Sequence, residues 1–355
     1  MFSALATSTR VIGLFLPISV IIFLFNDSLN KKKKNTKYII LILLFYFTLL
    51  YLHWPYLWEN PFKNLLNFIL NSKSWIYSYY ILFNGEYYLT TGLPDSFIFT
   101  WIAITTPIFN LFIFMIGFYF ILKRFFCRFI YISNENKSMP ELWRGNKELI
   151  DVFIIFNLIA IISILVTMNV ALVSGWRHLY FLNFFLVYIG IYFLYVLLLS
   201  FKKNANKILL LLFIFTLPSI YKIIIFHPFQ SLYFNEFLSD SKKNTFLIDR
   251  EGLSQLDSIK KILSFEKNTN KIIIANASYL PYYRIVDLVD EKDKLKLEFV
   301  GTNYKKADYV FNNFVYEVNP KFNNKYDIPQ NFKKIYALEI DGIQIYEIYK
   351  KELNQ

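Results

Sequence analysis

Three histidines occur in this 355-residue chain, His53, His178 and His227, and each falls at the end of an apolar stretch. Arg177 precedes His178 in GWRHLYF, and Lys222 lies just over one helical turn before His227. A guanidinium presents a planar fork suited to phosphate oxygens, and an imidazole adds a further donor. Gathered at one membrane depth, such cations would suit an anionic headgroup held there by its own lipid tail. Gln230, Tyr233 and Asn235 follow in HPFQSLYFNEF (227–237), where they could hold a sugar or lock the tail onto the membrane domain. Locking has the edge, because Pro228, Phe229, Tyr233 and Phe234 read as a packed turn. The cations also have a plainer role, Arg177 and Lys222 snorkelling to headgroups and the histidines bonding at the interface. No histidine pair has the i, i+4 spacing of a metal site, so none is expected. Cys127, the only cysteine, has no catalytic partner near it in sequence and permits no internal disulfide.

The elements that must position these residues are mostly apolar. The chain is 55% hydrophobic and 20% aromatic, with mean hydropathy +0.37, which points to a membrane class. Its net charge of +12 does not mark a nucleic-acid surface, because from Glu236 onward 19 basic residues meet 18 acidic ones. The excess lies in short segments between apolar runs. Six runs approach the ~20 residues that cross hydrocarbon: about 11–25, 38–54, 97–122, 151–174, 178–201 and 208–227.

The loops 26–37, 123–150 and 202–207 hold five, six and three basic residues, beginning in the second with Lys123, Arg124 and Arg128. Loop 55–96 has only Lys63 and Lys73 against Glu59, Glu86 and Asp95. The positive-inside bias therefore places 55–96 and everything after His227 outside the cytoplasm. Met1 then also lies outside, without a cleavable signal to export it; either the run 11–25 is not a full span or an odd number of helices is missing upstream, and the second is favoured. Within 55–96, residues 62–70 carry leucine and phenylalanine at helical spacing, as a helix lying in the interface would. Trp58, Trp75 and the nearby tyrosines would anchor it, or form an aromatic belt and nothing more.

The expected fold is a polytopic α-helical membrane domain over 1–235 followed by a small extracytoplasmic α/β domain over 236–355. In the latter, GLSQLDSIKKILSF (252–265) has helical spacing and KIIIANA (271–277) reads as a strand buried on both faces. KLKLEFV (294–300) and ADYVFNNF (307–314) suggest two more strands. Alternation on both sides of Asp341-Gly342 predicts a hairpin over 333–351. No glycine-rich phosphate loop precedes the helix, so nucleotide binding has no support.

HWPYLWENP (53–61), LFNGEYY (82–88), WIAITTP (101–107), GWRHLYF (175–181) and HPFQSLYFNEF (227–237) occur in that order. As an ordered set they resemble a bacterial branch of the GT-C membrane glycosyltransferases. This is the glycosyltransferase family 39 group of protein O-mannosyltransferases and lipid A aminoarabinose transferases. GLS (252–254) and ADYV (307–310) extend the match weakly into the tail. The resemblance implies transfer of a sugar from a polyprenyl-phosphate carrier to a glycan, lipid or protein acceptor at the outer face of a bacterial inner membrane. It implies no cofactor beyond that donor.

In such a reaction the carrier phosphate is handle and leaving group, and a cation stabilises its developing charge. Arg177 would supply that, with His178, His227 and Lys222 around the donor and His53, Gln230, Tyr233 and Asn235 near the sugar. A carboxylate is still required as general base. The family's acidic catalytic residue lies in the first outside loop, and SALATSTRVIGLF resembles a segment from the middle of family members, so that residue is expected upstream of Met1. Glu59, Glu86 and Asp95 are not promoted in its place. The competing readings are a non-catalytic remnant or partner subunit, and a lipid or polysaccharide transporter. Against transport, no paired Gly/Pro break or inverted repeat is visible. The enzymatic reading requires Arg177, His178 and His227 to share one hollow.

Overall fold

The computed structural model describes residues 1–31, 36–71, 79–134, 143, 145–172, 175–266, 271–317 and 324–352. Its helices are α1 (Phe2–Thr9), α2 (Phe15–Lys31), α3 (Thr36–His53), α4 (Pro61–Asn71), α5 (Phe97–Thr105) and α6 (Ile108–Asn134). There follow α7 (Gly145–Thr167), α8 (Leu182–Ser200), α9 (Ala205–Ile225), α10 (Asp240–Lys243), α11 (Ser254–Phe265) and α12 (Glu291–Lys294). Strands β1 (Tyr80–Phe83) and β2 (Glu86–Leu89) pair with each other. Strands β3 (Ile272–Asn276), β4 (Leu297–Phe299), β5 (Tyr309–Asn312), β6 (Phe332–Ile340) and β7 (Ile343–Lys351) make a five-stranded sheet in the order β4-β3-β5-β7-β6.

Among the described residues five helices are long and apolar enough to cross a membrane: α3, α7, α8, α9 with the turn before it, and α6 up to Arg128. The sixth expected span, 11–25, is an apolar stretch of shorter length, Val11–Asn26, and it opens with a 3-10 turn at Val11–Leu14. The expected span 97–122 is two helices. Thr106 is extended at φ −85° and ψ 132°, as a residue before proline prefers, and Pro107 separates α5 from α6. Helix α6 then runs on through Lys123, Arg124 and Arg128, which were expected in the loop after it.

The chain divides into two compact units, and the division differs from a cut at 235. The first holds 1–76, 109–171 and 179–208. In it Tyr46 donates to Thr7 at 2.8 Å, tying α3 to α1. Gly117 of α6 lies against the backbone of α8, where a Cβ would sit 2.1 Å from the Ile189 carbonyl oxygen. Only glycine permits that approach, which is how small residues join apolar helices.

The second unit holds 77–108, 172–178 and 209–355. Its sheet has β3 parallel to β4 and β5, with β7 antiparallel to β5 and to β6. Strand β5 and most of β3 are buried, as a β-branched, apolar composition predicts for central parallel strands. Ile259 and Ile262 of α11 are fully buried, and Tyr282 stacks on Phe311 at 4.5 Å. The β6–β7 hairpin turns at Asp341 and Gly342, both with positive φ, as a two-residue turn requires.

Candidate functional site

The site is built on α5. Four of the five ordered motifs belong wholly or in part to the second unit, and there they converge on this short helix. From LFNGEYY, Phe83 meets Phe97 at 4.8 Å. In GWRHLYF, Gly175 (φ +62°) lies so close to the Trp101 ring that a Cβ would come within 3.2 Å of it. The indole N–H of Trp176 donates to the Thr105 hydroxyl at 2.8 Å. In HPFQSLYFNEF, Phe234 stacks on Trp101 at 6.0 Å.

Asn235 then closes the end of α5. Its amide nitrogen donates to the carbonyls of Ala103 and Thr106, both at 2.6 Å, and its backbone N–H to Ile104 at 2.7 Å. These are the carbonyls that a helix C-terminus leaves without partners. The side-chain oxygen accepts from the Phe237 N–H, so Asn235 is engaged in joining segments.

Lys222 is the only cation of the expected set that lines the hollow beside this turn. The cavity is about 110 Å³ and is walled by Pro107, Ile223 and Phe226, with Gln230 and Tyr233 completing its polar side. The phenol of Tyr233 is pushed up to about 12 by burial, with Glu236 and Asp341 adding to the shift. Lys222 holds both carboxylate oxygens of Asp341, at 2.8 and 2.7 Å. Lys243 donates to the same carboxylate at 2.9 Å and to Asp240 at 2.7 Å. Burial pushes the Asp341 carboxyl up, but the two ammonium groups outweigh it and hold it below the usual range.

Arg177, His178 and His227 are not among the residues lining that hollow. Arg177 stands in the turn Arg177–Leu179, its side chain 67% exposed, and donates to Glu251 at 2.9 Å. His178 follows it, half-buried. His227 precedes Pro228 through a cis peptide bond, and its Nδ1 accepts from the Gln230 amide at 2.9 Å, which leaves the ring proton on Nε2. His53 belongs to the first unit, where its Nδ1 meets the Leu49 carbonyl and its Nε2 the Ser8 hydroxyl at 3.0 Å. The structure thus groups Lys222, Gln230 and Tyr233, and places Arg177 with Glu251 instead.

Three polar groupings carry no signal that was read from the sequence. Glu251 follows Asp249 and Arg250 just ahead of α11, and acidic residues near a helix start were the available hint. Asp249, 1% exposed, accepts from the Ser254 hydroxyl and from the Asn313 amide at 2.8 Å. Its burial pushes the carboxyl up to about 6. In the first unit Arg124 donates to Asp151 at 2.6 Å and to Tyr192 at 3.2 Å, while Tyr188 donates to Asp151 at 2.9 Å. That network bridges α6, α7 and α8, and charged groups inside apolar helices pair in this way. No three His, Cys, Asp or Glu residues form a metal-binding group among the described residues. Cys127 is exposed.

No family model, no curated protein and no solved structure matches the chain.

Proposed function

We propose that the chain is a multi-pass bacterial inner-membrane protein of the GT-C glycosyltransferase type. It would act on a sugar carried by a polyprenyl phosphate, with the five-stranded sheet outside the cytoplasm. The observation that carries this reading is the convergence on α5 of LFNGEYY, GWRHLYF and HPFQSLYFNEF, through Phe83–Phe97, Trp101–Gly175 with Thr105–Trp176, and the Asn235 cap. Motifs that resemble one family and meet in space support it more than motifs merely shared in order.

Arg177, His178 and His227 do not line the Lys222 hollow together, because Arg177 pairs with Glu251 and His227 with Gln230. The reading therefore narrows to Arg177 alone, which the donor phosphate takes from Glu251. The pair is exposed and therefore worth little to stability, about 0–1 kcal/mol, so the two free oxygens of a singly charged phosphodiester can compete for the guanidinium, and more strongly as the sugar leaves and the second charge develops. The cation then stabilises the charge that develops on the phosphate as the sugar bond breaks. Reconstituted protein with a short-chain polyprenyl-phosphate sugar tests this. Arg177→Ala should weaken donor binding by about tenfold or more, since a charge-assisted hydrogen bond is worth ~1.5–3 kcal/mol. Unchanged binding by a normally folded variant would retire the role.

A second reading, a non-catalytic membrane protein, is favoured by the carboxylates that already neutralise Arg177 and Lys222. Donor that binds without sugar release, in the presence of candidate glycan, lipid and protein acceptors, would select it.

A further inference from the structure

Helix α4 carries a wider apolar face than the described residues cover. Around its axis Phe68, Leu65, Ile69, Phe62, Leu66 and Leu70 occupy roughly half the circumference, and Lys63, Asn64, Asn67 and Asn71 the rest. The inner edge of the apolar arc is used. Phe68 meets Trp54 edge-on at 4.7 Å, and Leu65 packs on the cluster of Ala4, Tyr46, Leu50 and Leu57. The outer edge is left bare, with Phe62 89%, Leu66 55% and Leu70 62% exposed.

The place of α4 is fixed by its link to α3. The Asn64 amide donates to the Tyr56 carbonyl at 2.6 Å, and the Trp58 indole N–H to the Tyr51 carbonyl at 2.8 Å. These bonds hold α4 beside the end of α3, a helix whose own Ile40, Leu44, Phe47 and Leu52 are exposed. Tyr56 and Trp58, both exposed, fill the step between the two helices. Trp58 has its N–H satisfied by protein, so its ring can lie among acyl chains at no polar cost. An apolar arc that joins a membrane-length helix, with tryptophan and tyrosine at the joint and a lysine on its border, is the chemistry of a lipid–water boundary.

We propose that α4 lies flat in the headgroup layer of the bilayer, with Phe62, Leu66 and Leu70 directed at the acyl chains and Lys63 and Asn67 at water. The partner is the lipid surface, and the inference rests on α3 crossing that bilayer. It is independent of any glycosyl transfer.

The test uses the full chain in liposomes on a Cys127→Ser background. Single cysteines at 62, 66 and 70, at 63 and 67, and at 40 and 44 of α3 carry nitroxide labels, and collisions with oxygen and with a water-soluble nickel chelate are compared. The expected result is an oxygen-to-nickel ratio severalfold higher at 62, 66 and 70 than at 63 and 67, with 40 and 44 also in lipid. Nickel access at 62, 66 and 70 equal to that at 63, while 40 and 44 stay in lipid, overturns the proposal. Exclusion of both reagents at 62, 66 and 70 overturns it too, because protein would then cover the face. Nickel access at 40 and 44 overturns the membrane reading of α3 and this inference with it.

Discussion

Lys222, one turn from the end of the last apolar helix, holds both oxygens of Asp341 at the tip of the β6–β7 hairpin. Half-buried ion pairs of this kind tie a helix to a sheet, and they compete with any role of the lysine in gripping a phosphate. Lys222→Met should cost about 1–2 kcal/mol of stability, as should Asp341→Asn. A double-mutant cycle read from thermal unfolding should show coupling of about 1 kcal/mol. Additive losses would mean the pair is not a tie. Because the ammonium groups depress the Asp341 carboxyl, its contribution is complete above about pH 4 and is lost as pH falls further.

Asp249 has the opposite sign. Burial raises its carboxyl to about 6, above the ~3.9 of an unfolded aspartate. The folded state then binds the extra proton between those values, so this group's contribution to folding is complete below about pH 4 and is lost as pH rises through about 6. Unfolding of the wild type and of Asp249→Asn across pH 4–7 checks this. The difference in midpoint should change across that window, and a constant difference would place the charge elsewhere.

Asn235 caps three carbonyls of α5 while its own oxygen caps the next turn. Asn235→Ala keeps the backbone bond but strips the side-chain donors from buried oxygens, at about 2–3 kcal/mol. Asn235→Asp sets acceptors against acceptors and should cost more. If Asn235→Ala left the unfolding midpoint unchanged but weakened sugar binding, the residue would serve the ligand instead.

What could be read from residue patterns follows the range of the forces involved. The hairpin at Asp341-Gly342 and the helix at 254–265 rest on local turn chemistry and periodicity, and both stand within two residues of their expected limits. The same turn signal, Asn84-Gly85, marks the β1–β2 hairpin, where the aromatic composition of the surrounding loop masks the short strands on either side. The break at Pro107 was equally local, but a continuous apolar run concealed it. By contrast, Arg177 with Glu251, and Lys222 with Asp341, are 74 and 119 residues apart along the chain. Charge pairing at that distance has no periodic signature, so cations that looked free in the sequence have carboxylate partners in the fold.

Gly175 offers the sharpest test of the α5 hub. Its φ of +62° is left-handed, and a Cβ there would press on the Trp101 ring at 3.2 Å. Gly175→Ala therefore meets a backbone penalty of about 1–2 kcal/mol and a crowded ring together. Trp101→Leu removes the ring and should relieve only the second part. The variant Gly175→Ala should thus unfold more easily, while Gly175→Ala with Trp101→Leu should lose less than the two single changes combined. A chain in which these effects simply add would show that GWRHLYF, and Arg177 with it, is not seated on α5 through Trp101, and the proposed site would lose its foundation.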